Sequence, residues 1–238
     1  MSLVCIDVPA PPLPVLAGAR LHACRFQHGQ VAVTGYDAGP FGHLDLPPAL
    51  ASAVPGRQAE YLAGRYCVRR AEHTLHGRYS HIASGADRAP IWPPGLHGSL
   101  SHAGGYALAI VSASQSGYLL GIDVENLARE PEPEGVQRQI ASREEMALLE
   151  PVLDAAGAFS LMFSAKEAIY KALYPRARRF IDFHEVACVE AGAGGLLFET
   201  RDTLHGVLPR DLHLSVAFAL QDERVFTLCQ VELGVIQG

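Results

Sequence analysis

The stretch GYLLGIDVEN, Gly117–Asn126, alternates with the period of an extended chain. Successive side chains of a strand point to opposite faces. Leu120, Ile122 and Val124 therefore share one face, and Gly121, Asp123 and Glu125 share the other. The first face is fully aliphatic. The second sets two carboxylates side by side, and like charges this close raise each other's pKa unless a cation lies between them. A hard, oxygen-seeking, octahedral ion such as Mg²⁺ relieves that repulsion, usually keeping water and taking phosphate oxygens as further ligands. The competing reading is the solvent-facing polar side of an edge strand. The strand alone does not decide between them.

Working outward, GYALAIVSAS just upstream reads as a second strand, and the two make a hairpin turning at Gln115-Ser116-Gly117. Further upstream, ARLHACRF and GQVAVTGY have strand character about a turn at His28-Gly29. Pro55-Gly56 opens a helix from about Arg57 to His76, and PIWPPGLHG reads as loop. Downstream, REPEPEG is an exposed acidic linker, and Ser142 and Glu145 stand in capping-box spacing. A long helix runs from about Asp154 to Leu173 and stops before Pro175. FHEVACVE, GLLFET, HLSVAFAL and VFTLCQVEL close the chain as strands. Each half can bury one long helix against one antiparallel sheet. The fold class is therefore α+β, with two similar lobes spanning residues 1–117 and 118–238 and a ligand cleft between them.

The chain has 238 residues, 49% hydrophobic and 18% charged, which suits a folded protein with a sizeable core. Its net charge of -6 argues against a field-driven nucleic-acid or membrane binder, so an anionic ligand needs a local basic pocket. Five scattered cysteines without metal spacing, and no leader or membrane-spanning run, predict a reduced, cytoplasmic protein.

The segment FSAKEAIYKAL, Phe163–Leu173, holds the only two lysines of the chain, Lys166 and Lys171. On a helix Glu167 and Lys171 share a face in the favourable order, while Met162, Ile169 and Leu173 supply a buried stripe. A surface ion pair would explain the first face, and so would a carboxylate and ammonium groups added to the Asp123/Glu125 site. On the first helix Arg57 and Arg65 are eight apart, offset by about 80°, and can converge on one anion. Arg88 lies in a loop, and GSLSHAGG places Ser99, Ser101 and His102 among small neighbours that let a phosphate approach.

GIDVE followed by FSAKEAIYK, with SLSH upstream of both, resembles the Sfp-type 4′-phosphopantetheinyl transferases. RQAEYLAGR and the Pro90-Ile91-Trp92 loop resemble the enterobactin-synthesis and Pseudomonas-like branch. These motifs span about residues 57 to 175. The resemblance implies a pseudo-dimer of two α+β lobes with coenzyme A in the cleft. It implies Mg²⁺-dependent transfer of 4′-phosphopantetheine from coenzyme A to a serine of an acyl, peptidyl or aryl carrier protein, releasing adenosine 3′,5′-bisphosphate. By motif position Asp123, Glu125 and Glu167 would hold the metal. Glu167 would also take the serine proton, and Lys171 would neutralise the leaving phosphate. Lys166 would assist with the phosphates, and Arg57, Arg65, Arg88 and His102 would grip the nucleotide end. Many relatives have Lys where this chain has Arg88. Fatty-acid, polyketide, nonribosomal-peptide and siderophore carriers are all open as partners, and the enzyme would act as a monomer. A metal-dependent phosphodiesterase or a non-catalytic coenzyme A-binding module are the alternatives.

Overall fold

The structure is a computed structural model that describes residues 3–29, 32–201 and 209–236. Met1–Ala10 with Val15–Ser116 form one compact unit, and Pro11–Pro14 with Gly117–Gly238 form a second.

In the first unit, β1 (Val4–Val8), β2 (Ala19–Gln27), β7 (Leu96–Ala103) and β8 (Tyr106–Ala113) make an antiparallel sheet in the order β1-β2-β8-β7. Helix α1 (Pro55–His76) packs on β2, β7 and β8. It begins with proline, whose missing N–H costs nothing in a first turn, and ends at Gly77 with φ 71°, a left-handed cap. Leu62, Ala63, Cys67 and Val68 of α1 meet Cys24, Phe26, Ala109 and Val111 of the sheet. The short pairs β3 (Gly35–Asp37) with β4 (His43–Asp45), and β5 (Ala83–Ser84) with β6 (Pro90–Ile91), are separate two-stranded ribbons.

In the second unit, β9 (Tyr118–Asn126) is the edge of a five-stranded antiparallel sheet ordered β10-β11-β12-β13-β9. The other strands are β10 (Val186–Gly192), β11 (Gly195–Thr200), β12 (His213–Gln221) and β13 (Arg224–Glu232). Between β9 and β10 run α2 (Glu134–Ile140), α3 (Arg143–Ala147) and α4 (Ala155–Ala177). Ser142 and Glu145 form the expected capping box at α3, and Asp154 caps α4 by accepting from Gly157 N at 2.8 Å. Leu161, Met162, Ile169 and Leu173 of α4 are fully buried against the sheet. Each such side chain contributes about 1.5–3 kcal/mol of transfer free energy. Both units thus set one long helix against one antiparallel sheet, the α+β class expected.

Several local expectations fail. The strands β8 and β9 do not form a hairpin; β8 lies between β2 and β7, so both its edges are filled, and β9 pairs with β13 instead. The strand expected within GQVAVTGY lies partly at residues 30–31, outside the described residues. Its end, β3, pairs with β4, while β2 pairs with β1 and β8. PIWPPGLHG is not all loop, because β6 covers Pro90–Ile91 and β7 begins at Leu96. Helix α4 continues through Pro175 to Ala177 and is capped by Arg178 at φ 50°. A proline in the final turn removes a hydrogen bond where tertiary packing already holds the helix. Among the described residues no helix is long and apolar enough to cross a membrane, and all five cysteines are free thiols.

Candidate active site

Asp123 is carried by β9 on the face that α4 covers, and only 2% of it is exposed. Lys171 donates Nζ to Asp123 Oδ1 at 2.5 Å, and Ser164 donates Oγ to Oδ2 at 2.8 Å. Ser164 and Lys171 are seven apart, two turns of one helix face. Thr227 pairs with Asp123 across the β13–β9 ladder. Its Oγ1 lies 2.9 Å from Ser164 Oγ and 2.9 Å from the Ser164 carbonyl oxygen. An ionised carboxylate only accepts, so the Ser164 proton goes to Asp123 and the Thr227 proton turns back toward the helix. The solvent-facing reading of this strand face fails at Asp123, because the helix lies over it.

Gly121 explains how the helix comes so close. A Cβ at this position would sit 1.8 Å from the Ala168 carbonyl oxygen and 2.6 Å from the Ala172 nitrogen. The glycine of GIDVE is the point where helix backbone rests on strand backbone.

Glu125 and Glu167 stand in the same electrostatic neighbourhood. Burial pushes Glu125 up to about 7; Asp123 adds to the rise, Lys171 opposes it and Glu167 adds a smaller part. Burial also raises Glu167, with Lys171 opposing and Asp123 adding. Lys171 is the cation that acts on both glutamates and pairs with Asp123. Burial is the largest cause at both glutamates, and a cation bound beside them would favour their charged forms.

The donors are all carboxylate oxygens, which fits a hard divalent ion such as Mg²⁺. Among the described residues no group of three or more His, Cys, Asp or Glu side chains stands close enough to hold a metal ion unaided. The expected set of Asp123, Glu125 and Glu167 is therefore not a closed three-carboxylate cage; Lys171 holds Asp123 Oδ1. Mg²⁺ commonly uses one or two carboxylates and completes its shell with water and phosphate oxygens, so the residues present fit that ion.

Lys166 corrects the sequence reading. It is expected to face phosphate, yet its side chain is 0% exposed and pairs with Glu145 Oε1 at 2.8 Å. Its Nζ also donates to the carbonyl oxygens of Phe183 at 2.8 Å, Ile140 at 2.9 Å and Val186 at 3.2 Å. Burial lowers its pKa, with Glu145 opposing. All four partners are acceptors, so each of the three ammonium N–H groups has a partner and one of them is shared between two. Lys166 and Lys171 are five apart, about 140° around the helix, so they serve opposite flanks.

The basic positions lie in the first unit. Arg57 donates Nη1 to His102 Nε2 at 2.9 Å. Arginine can only donate, so His102 keeps its proton on Nδ1, which faces Glu60 Oε2 at 3.6 Å. Glu60 also pairs with Arg57 at 3.3 Å. Arg57 and His102 are thus brought together, with Glu60 offsetting part of their charge. Arg65 is buried instead, and donates to Ile82 O at 2.8 Å and Ser84 Oγ at 3.0 Å while lying 4.6 Å over the Tyr61 ring. Burial lowers its pKa; Tyr61 opposes this and the nearby Arg57 adds to it. Arg88 is exposed on a turn at φ 67°. Ser99 and Ser101 are buried on β7 at positions that alternate with His102, so they face away from it.

Sequence patterning gives no site role to Ser164, Thr227 or Glu60, and places Gly121 only on a strand face and Glu145 only in a capping box. The seven-residue spacing of Ser164 and Lys171 was a usable signal. Thr227 had none, because strand register fixes it from a hundred residues away.

Residues 46–112 match the family model for the 4′-phosphopantetheinyl transferase N-terminal domain, and residues 119–229 match that for the 4′-phosphopantetheinyl transferase superfamily. The 4′-phosphopantetheinyl transferase Npt of Nocardia iowensis is 36% identical over 57% of this chain and 60% of its own length. PptT of Mycobacterium tuberculosis is 34% identical over 61% of this chain and 65% of its own. Enterobactin synthase component D of Salmonella typhimurium is 35% identical over 69% of this chain and 66% of its own. The chain thus spans somewhat under two thirds of the length of these relatives. Taken with the acidic strand, the lysine-bearing helix and both family models, these matches show that the chain belongs to the Sfp-type 4′-phosphopantetheinyl transferases.

Proposed function

We propose that this chain is an enzyme that moves the 4′-phosphopantetheine arm of coenzyme A onto a serine hydroxyl of an apo carrier protein, releasing adenosine 3′,5′-bisphosphate. The observation that carries the reading is the pairing of Lys171 with the buried Asp123 where α4 meets β9, with Glu125 and Glu167 within their electrostatic reach, in a chain of this family. Attack on a diphosphate needs its charge neutralised and the nucleophile held in line.

One or two of the carboxylates of Asp123, Glu125 and Glu167, with water and diphosphate oxygens, would hold Mg²⁺, which when bound neutralises diphosphate charge and polarises the attacked phosphorus. Glu167 accepts the proton of the carrier serine. Its raised pKa brings it nearer the working pH, where a general base is most effective. Lys171 neutralises the departing phosphate; its side chain is one-quarter exposed and can reach a ligand. Ser164 holds Asp123 Oδ2 and so fixes the carboxylate plane. Arg57 and His102 bind the anionic nucleotide end, with Arg88 adding positive field, while the buried Arg65 is committed to Ile82 O and Ser84 Oγ. The fully buried Lys166 takes no part in phosphate binding. The name of the Salmonella relative supports a siderophore-type carrier as the first partner to test, and five free thiols suit a cytoplasmic reaction.

The test mixes protein, Mg²⁺, coenzyme A and an apo carrier, and weighs the carrier by mass spectrometry. A gain of one phosphopantetheine is expected. Coenzyme A cleavage without carrier labelling, or binding without turnover, would overturn the proposal. Asp123→Ala should lower transfer by at least ~10³-fold, about 4 kcal/mol of lost transition-state stabilisation. Full residual activity would remove Asp123 from the site.

A further inference from the structure

Among the described residues Lys166 is the largest fully buried polar side chain, and the mechanism above does not use it. Its ammonium gathers four separate pieces of chain. Ile140 ends α2, Glu145 lies in α3, Phe183 opens the turn after α4, and Val186 begins β10. Glu145 extends the network, accepting from Ser142 N at 2.8 Å and from Cys188 N at 2.9 Å.

A buried ion pair is a poor way to gain stability alone, because well-packed apolar side chains of like volume often do as well or better. What it adds is direction. Hydrogen bonds fix where a group sits, whereas apolar contacts let a helix rotate or slide at small expense. On α4 Lys166 lies between Ser164 and Lys171, the two residues that bond Asp123. Glu167 follows it, about 100° around the axis, and Lys171 lies about 140° around. The opposite flank rests on Gly121 with no room to spare. The helix is therefore held from two sides, by backbone contact at β9 and by the ammonium at α2, α3 and β10.

We infer that Lys166, through Glu145 and the three carbonyls, is a positioning residue for phosphopantetheine transfer: it fixes the rotation of α4 and so sets Glu167 and Lys171 against Asp123. This rests on the functional reading above. It assigns the two lysines of the chain to different tasks, one to the reacting phosphate and one to the frame that presents it.

The experiment compares the wild-type chain with Lys166→Met and with Lys166→Met/Glu145→Gln, the second removing the stranded carboxylate charge so that a folded protein is available. Both are assayed at a temperature where circular dichroism shows them folded. In the double variant kcat should fall by about 10²-fold, the usual penalty for a displacement near 1 Å. KM for coenzyme A should stay within about 2-fold, because binding is not the step affected. A folded double variant with wild-type kcat, or one whose KM rises while kcat holds, overturns the inference. Crystal structures give a second readout that does not need turnover. Glu167 should move by more than about 0.5 Å relative to Asp123, the tolerance of a productive site. If Glu167 stays in place and Lys171 Nζ remains 2.5 Å from Asp123 Oδ1, the inference fails. Absence of transfer by the wild-type chain would instead strike the functional reading, and the two structures would still decide the positioning role.

Discussion

The two flanks of α4 treat charge in opposite ways. On one, Lys166 is sealed from solvent and every partner it needs is present. On the other, Lys171 faces Asp123, Glu125 and Glu167, and burial leaves both glutamates with raised pKa values. A satisfied charge holds structure. Carboxylates that burial holds above their ordinary pKa are a place for a ligand to bring charge of its own.

Gly121→Ala should break both flanks at once. The added methyl would fall 1.8 Å from the Ala168 carbonyl oxygen, so α4 must leave the strand. A stability loss above about 4 kcal/mol is expected in denaturant titration, in the range reserved for gross disruption.

Exchanging the lysines separately sharpens the contrast. Lys166→Met should cost about 3–5 kcal/mol, because Glu145 is left buried and charged. Lys171→Met should cost about 1–3 kcal/mol, because Asp123 keeps its bond from Ser164. Urea midpoints at one pH measure both, and equal losses would erase the distinction.

Acidity separates the flanks further. In metal-free protein the folded pKa of Glu125, about 7, lies above its ordinary 4.5. The folded state then holds more protons than the unfolded state across that window, so this group makes stability fall as pH rises from about 4.5 to about 7. Glu125→Gln should remove the fall, melting at pH values near 8 above the wild type and near 4 together with it. Mg²⁺ should raise the wild-type melting temperature at the higher pH, because it binds the folded form. The smallest effect belongs to Ser142→Ala, which deletes one helix cap on the Lys166 side at about 1 kcal/mol.

The period-two pattern of residues 118–126 revealed β9 and the shared face of Asp123 and Glu125, and the buried stripe of Met162, Ile169 and Leu173 was readable at helical spacing. The partners of β8 and β9 were not readable, because alternation marks a strand without naming its neighbour, and the two adjacent strands lie in different sheets. Lys166 and Arg65 were misread for a common reason. Their partners are mostly backbone carbonyls, at Ile140, Phe183 and Val186 for one and at Ile82 for the other, and every residue carries a carbonyl. Arg57 and His102 were linked to a common task, and the structure joins them directly. Pro175 misled because a ring in the last turn removes little that packing has not already secured.

The backbone leaves the first unit after Ala10, returns at Val15 and leaves again after Ser116, and Gln230 of β13 donates to the Pro14 carbonyl at 3.0 Å. A single protease nick near residue 117 therefore does not yield two self-sufficient halves. The C-terminal fragment would lack a short proline-rich strap supplied from the far end of the chain, and adding that peptide back is the natural way to ask how much of its order it owes to the strap.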